Sequence, residues 1–361
     1  MLRREYFFGS MIALAAAKQP VILAKQPVIL VADVGIDDAA GLLLAIAAPQ
    51  LDVLGIAATF GCHKDTEVTA RNAERLLMAA NRSDIPVFRG AIHPLGKTSK
   101  LTRDGSFVHG SDGMGNLKDD EYYDAGSCTP AAHDGASAAE FIAQSARRMP
   151  GEIVLLSFSP LTNVAYALAL EPRLPTLLKS LVAMGGAIHT AGNASPLAEA
   201  NFLHDALAAK VVVQAFSEEG ACPLVIAPLD LTNAAVTMPT TIAAIGSGGG
   251  RAARMFADSW PVYQAAYCRL SGLCTGTPLH DVHPVAYLLS PELYTKHELV
   301  HLEVVVGAAR DDPADGMSYT DGRGSRATEA APGRQTVRVL LDVNMPKFES
   351  LLADTIIAAG I

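Results

Sequence analysis

Three aspartates crowd the six-residue segment Asp33-Val34-Gly35-Ile36-Asp37-Asp38. The segment follows an apolar run, 27–32, that reads as a buried strand, and it opens a stretch, 37–48, that reads as a helix. Carboxylates at that density repel one another unless a cation neutralises them. Hard oxygen donors favour Ca²⁺ or Mg²⁺ over a transition metal. An acidic helix start that merely suits the helix dipole is the plainer alternative. A second group, Leu279-His280-Asp281-Val282-His283-Pro284, leads into the apolar helical stretch 285–289. A histidine beside an aspartate at a helix start can act as a general acid next to a metal carboxylate, although ordinary capping residues look the same. The third group is Gly192-Asn193 with Ala198-Glu199-Ala200-Asn201. In an extended segment Glu199 and Asn201 point the same way, and amides with carboxylates supply the donors and acceptors that grip sugar hydroxyls.

Elements with a regular rhythm must hold these groups. Strand-like runs at 51–59, 153–157, 180–184 and 223–227 alternate with helical patterns at 66–80, 161–170 and 206–216. That order predicts an α/β fold: a Rossmann-like open, mostly parallel central sheet flanked by helices, with its site at the C-terminal ends of the strands. Segments 299–306 and 336–343 read as strands with no helix between them, an antiparallel pair at the sheet edge. Residues 97–136 and 308–334 are polar, glycine-rich loops, a class often functional or mobile. The hexapeptide Lys-Gln-Pro-Val-Ile-Leu occurs at 18–23 and again at 25–30, and only one copy can be the first strand. Residues 1–24 are therefore set apart as an N-terminal extension, and 25–361 as one domain. Arg3 and Arg4 before the apolar run 7–17 loosely resemble an export signal, but the run is short.

Composition narrows the classes of function. Of 361 residues, 50% are hydrophobic and 18% charged, which excludes a disordered chain. A formal charge of −9 argues against nucleic acid as a partner and for a small molecule. No apolar stretch is long enough to span a membrane. Cys62, Cys128, Cys222, Cys268 and Cys274 show neither CxxC nor zinc-ribbon spacing, so reduced, packed thiols and a cytoplasmic location are expected. Trp260, Tyr263 and Tyr267 read as a packed helix face. His63, His189, His204 and His283 read as surface or packed histidines.

Taken together, the three groups resemble the inosine–uridine-preferring nucleoside hydrolase family, over nearly the whole chain from about Val28. Its signature after the first strand, Asp-x-Asp-x-Gly-x-Asp-Asp, is matched by Asp33, Gly35, Asp37 and Asp38. Pro160-Leu161-Thr162-Asn163, Met184-Gly185-Gly186 and His109-Gly110-Ser111-Asp112-Gly113 match further motifs, in the family order. The resemblance implies a Ca²⁺ held by Asp33, Asp38, Asp281 and the carbonyl of Phe158. It makes Asp33 the general base for a water and His280 the acid for the leaving base. Asp37, Asn193, Glu199, Asn201, Met184 and Asp281 would hold the substrate, with His109 above the base. It implies a ribonucleoside substrate, release of free base and ribose in salvage, and a dimer or tetramer.

The departures are specific. Val31 stands for the first aspartate of the signature, Val34 for a proline, and Cys62 for an asparagine that commonly follows the glycine after the second strand. Pro284 comes two places late after His280-Asp281. Purine-specific members that sandwich the base between tryptophans need two, and this chain has only Trp260. With His280 retained, the expectation leans to the 6-oxopurine nucleosides inosine and guanosine. Val31 and Cys62 motivate one rival, a ribosyl- or metal-binding homologue that has lost turnover. Strand–turn–helix order alone suggests a dinucleotide enzyme, but no Gly-x-Gly-x-x-Gly follows the first strand.

Overall fold

Val28, Leu30 and Ala32 face one side of the first strand and Ile29 and Val31 the other, and all five are fully buried. A strand covered on both faces belongs at the centre of a parallel sheet. The computed structural model describes residues 24–96, 105–118, 121–123, 135, 137–309, 312–321 and 333–361. Residues 1–23, with the first copy of the hexapeptide, lie outside them; the second copy runs into the first strand.

The strands are β1 (Gln26–Ala32), β2 (Leu51–Ala58), β3 (Val87–Arg89), β4 (Val154–Ser157), β5 (Ser180–Met184), β6 (Leu224–Ala227), β7 (Val236–Thr237), β8 (Thr277–Pro278), β9 (Lys296–Val300), β10 (Leu302–Val304), β11 (Ser318–Thr320) and β12 (Val337–Asp342). Eight of them form one sheet in the order β3-β2-β1-β4-β5-β6-β12-β9, all pairs parallel except β12 with β9. The expected antiparallel edge is there in altered form. The run 299–306 divides at His301 into β9, which pairs with β12, and β10, which pairs with β11 in a separate ribbon.

Helices cover both faces. Ile36–Ala47, Arg251–Ser271 and Met345–Ala359 pack on one side of the sheet, and Ala138–Arg148, Thr162–Leu170 and Ala206–Phe216 on the other. Asp65 caps Thr66–Ala79 by accepting from the Glu67 N–H, and Ser137 with Glu140 forms a capping box on Ala138–Arg148. Strand order reverses between β1 and β4, so loops leaving their C-terminal ends diverge and open a crevice. Asp33 and Phe158 are the first residues past those two ends. Among the described residues no helix is long and apolar enough to cross a membrane.

One sequence expectation fails in the cysteines. Cys268 and Cys274 are joined in a disulfide rather than reduced. The helix ends at Ser271, Gly272 turns left-handed at φ 74°, and the chain doubles back so that the two Cα atoms lie 4.3 Å apart. Cys128 falls outside the described residues.

Candidate active site

The crevice is a cavity of about 630 Å³. Asp33, Asp37, Phe158, Asp281, His280 and His109 line it, together with Met184, Asn193, Glu199 and Asn201. Asp38, fully buried, lies behind them, its carboxylate beside those of Asp37 and Asp281. Every site residue marked in the sequence therefore converges on one place.

The acidic cluster is built by the turn after β1. Asp38 Oδ2 accepts the Gly35 N–H at 3.0 Å and closes the first turn of the helix Ile36–Ala47. Asp33 Oδ2 accepts the backbone N–H of Cys62, from the loop after β2. Gly61 in that loop has φ +150, and a Cβ there would stand 1.9 Å from Asp33 Oδ2. Asp37 Oδ2 accepts the Tyr263 hydroxyl at 2.9 Å. One oxygen of each carboxylate is thereby fixed. The others, Asp33 Oδ1, Asp37 Oδ1 and Asp38 Oδ1, are buried with no hydrogen-bond partner in the structure.

Burial, and then the charge of Asp38, pushes the Asp33 carboxyl well above its ordinary range. Burial and Asp37 raise Asp38 to about 7. Burial and the same neighbour raise Asp281. Buried carboxylates that repel one another must either keep protons or share a cation, and three orphaned oxygens in one cleft suit the second. The oxygen donor set fits a hard divalent ion.

The ribose-side residues differ from expectation in one respect. The stretch around Glu199 and Asn201 is not extended: Ala200–His204 is a short helix, and Glu199 caps it by accepting from the Asn201 and Phe202 N–H groups. Its Oε2 also accepts the Gly186 N–H at 3.0 Å. An acid at a helix start finds unpaired N–H groups within reach, and that outcompetes strand alternation. Burial pushes the Glu199 carboxyl up to about 7. Asn193 Oδ1 accepts from the Ala200 N–H at 3.0 Å. Asn201 Nδ2 donates to the Phe158 carbonyl at 3.0 Å and lies 3.3 Å from the Met184 carbonyl.

His280 sits in a chain of polar groups. Its Nδ1 is 2.6 Å from the Thr232 hydroxyl and its Nε2 2.6 Å from the Tyr267 hydroxyl. Burial lowers its pKa, so the resting imidazole is neutral at neutral pH. His109, at the end of the short helix Ser106–His109, accepts the Ile36 N–H on Nδ1 at 3.0 Å. Its ring lies 5.3 Å from that of Tyr263.

Tyr263 and Tyr267 correct the reading of a packed helix face. Trp260 does pack, its indole N–H on the Thr277 hydroxyl, but both tyrosines line the cavity. Their i, i+4 spacing was the available signal, since it puts both on one helix face. Nothing in the sequence marked Thr232. His283 is packed as expected, stacked on Phe348, and His189 is an exposed partner of Glu298. His204, by contrast, lines the cavity. Of the departures, Val31 is buried in β1 against Ala57 and Ser157, away from the cavity, whereas Cys62 lies in it.

The inosine-uridine preferring nucleoside hydrolase family matches residues 28–350. The chain belongs to that family. It is an N-ribohydrolase, an enzyme that cleaves the N-glycosidic bond of nucleosides. The hydrolase is 32% identical over 329 residues to the pyrimidine-specific ribonucleoside hydrolase RihA of Klebsiella pneumoniae, covering 91% of this chain and 97% of that one. It is 29% identical over 332 residues to the probable uridine nucleosidase 2 of Arabidopsis thaliana, covering 91% and 97%. Among solved structures, the purine-preferring ribonucleoside hydrolase of Gardnerella vaginalis shares the fold at a TM-score of 0.80 and 24% identity, over 93% of this chain and 99% of that one. These curated relatives are named for uridine or pyrimidines, which does not support the 6-oxopurine preference expected from the sequence.

Proposed function

We propose that the hydrolase is Ca²⁺-dependent and prefers pyrimidine ribonucleosides, uridine first, releasing free base and ribose. The observation that carries the cation reading is the set of orphaned oxygens on Asp33, Asp37 and Asp38 in one buried cleft. Asp33, Asp38, Asp281 and the Phe158 carbonyl would hold the ion. When bound, it supplies positive charge that replaces the shared protons, acidifies a water and grips a sugar diol. The base preference follows the named relatives.

The steps belong to the side chains. Asp37, Asn193, Glu199 and Asn201 orient the ribose, so that the scissile bond is presented in one pose. As the C1′–N bond stretches, positive charge builds on the ribose, and the surrounding carboxylates stabilise it. Asp33 takes a proton from water as the oxygen bonds to C1′. The electron pair of the broken bond leaves with the base, which gains its proton from the His280–Tyr267 pair.

The test is release of base from uridine, cytidine, inosine, guanosine and adenosine by the wild type and Asp33→Ala. Uridine should give the highest kcat/KM, and Asp33→Ala should release base about 10²–10⁴-fold more slowly. Faster cleavage of inosine or guanosine than uridine would overturn the pyrimidine preference.

A further inference from the structure

We propose that Cys62 is a soft donor to the carboxylate cation site, so that the site also takes a thiophilic divalent ion such as Cd²⁺, Co²⁺ or Zn²⁺. The inference rests on the cation reading given above and extends it to a ligand that is not an oxygen.

Donor atoms of Asp33, Asp38 and Cys62 all lie within 4.8 Å of one another. The Cys62 sulfur is 3.5 Å from Asp38 Oδ2. Asp33 Oδ1 and Asp38 Oδ1 point independently to an occupant, being buried oxygens with no partner on carboxylates that are 3% and 0% exposed. The sulfur is held in place by its own backbone. The Cys62 N–H donates to Asp33 Oδ2, and Gly61 at φ +150 lets the loop approach that closely, since a Cβ there would stand 1.9 Å from the same oxygen.

His109 completes the arrangement. Because the Ile36 N–H donates to Nδ1, the ring carries its proton on Nε2, and Nε2 lies 3.4 Å from the sulfur. That contact and the one to Asp38 Oδ2 fix the sulfur beside the carboxylates. Gly35 keeps the space open, since a Cβ there would come within 2.7 Å of the Cys62 sulfur and 2.6 Å of His109 Nδ1. On binding, the thiol proton passes to bulk water and the sulfur lone pair to the ion. A hard ion such as Ca²⁺ gains little from sulfur, whereas Cd²⁺, Co²⁺ and Zn²⁺ gain much. Cys62 thus tilts the selectivity of an otherwise all-oxygen site towards softer cations.

The experiment titrates the metal-stripped full-length chain with Co²⁺, reading the sulfur-to-cobalt charge-transfer absorption, and measures Cd²⁺ and radiolabelled Ca²⁺ binding in parallel. The wild type should show the sulfur band, and a chain lacking Cys128 and Cys222 should keep it. Cys62→Ser should lose it, bind Cd²⁺ about tenfold or more weakly, and keep its Ca²⁺ affinity; Cys62→Ala serves if the serine variant does not fold. Saturating Cd²⁺ should exclude labelled Ca²⁺. A wild type that binds Ca²⁺ without a sulfur band, or a band that survives in Cys62→Ser, overturns the role of Cys62 alone. A wild type that binds neither ion overturns the cation reading as well.

Discussion

Asp33 has one oxygen fixed by the Cys62 backbone and the other buried without a partner, so the carboxylate is aimed by the loop after β2 and needs a cation beside it to stay ionised. His280 is fixed at both nitrogens, by Thr232 and Tyr267. Tyr267→Phe removes the hydroxyl that holds Nε2 and should lower kcat about 10–100-fold while leaving KM nearly unchanged. If Tyr267 and His280 act as one unit, the double variant Tyr267→Phe/His280→Ala should be no slower than His280→Ala alone. Multiplied losses in uridine turnover would separate the two. Asp33, Asp37 and Asp38 were legible because three carboxylates crowd six residues at a strand end, and Asp281 because the family resemblance marks it, although an acidic helix start or a cap would look the same. Tyr263 and Tyr267 were not, because aromatic residues at helical spacing suit a core just as well. Thr232 carries no pattern at all.

The loop after β2 shows how a secondary element serves the chemistry. Gly61 lies against Asp33, so Gly61→Ala places a methyl on the carboxylate and strains the backbone. The variant should fold with a lowered Tm and lose at least as much uridine turnover as Asp33→Ala; near wild-type turnover would show that this loop does not position the base. At the far end of the helix Arg251–Ser271, the Cys268–Cys274 disulfide closes a short turn whose neighbours Leu270, Ser271 and Leu273 line the cavity. Such a loop contributes about 2 kcal/mol, so Cys268→Ser/Cys274→Ser should unfold at a lower denaturant concentration with an unchanged m-value. β5 and the helix Ala206–Phe216 are bounded where the apolar pattern begins and ends. The helix Ala200–His204 escaped notice because a five-residue element has too little periodicity to read, and alternation of Glu199 with Asn201 suits an extended segment as well as a cap.

For the whole molecule, the strand order places the site before any side chain is considered. β1 and β4 sit on either side of the reversal, and their ends deliver Asp33 and Phe158 to one crevice. That much followed from alternating elements, whereas the division of β9 from β10 depended on which distant strand each pairs with, and the joined cysteines on the left-handed turn at Gly272. The folded chain holds Glu199 and Asp38 at about 7, above their ordinary 4.5 and 3.8. An acid with a raised folded pKa binds its proton more tightly in the folded state. Its contribution is full below the unfolded value and is lost as pH rises through the folded one. The metal-free hydrolase should therefore lose stability between about pH 4 and 7, and Glu199→Gln should flatten that slope in thermal melts. A cation at 100 times its Kd should restore about 3 kcal/mol, seen as a Tm several degrees higher at neutral pH. The dependence on Ca²⁺ is tested most directly by uracil release from uridine by the chelator-stripped chain, before and after Ca²⁺ is returned. The stripped chain should release none, and adding Ca²⁺ should restore full release. Undiminished release without any divalent ion would contradict that dependence.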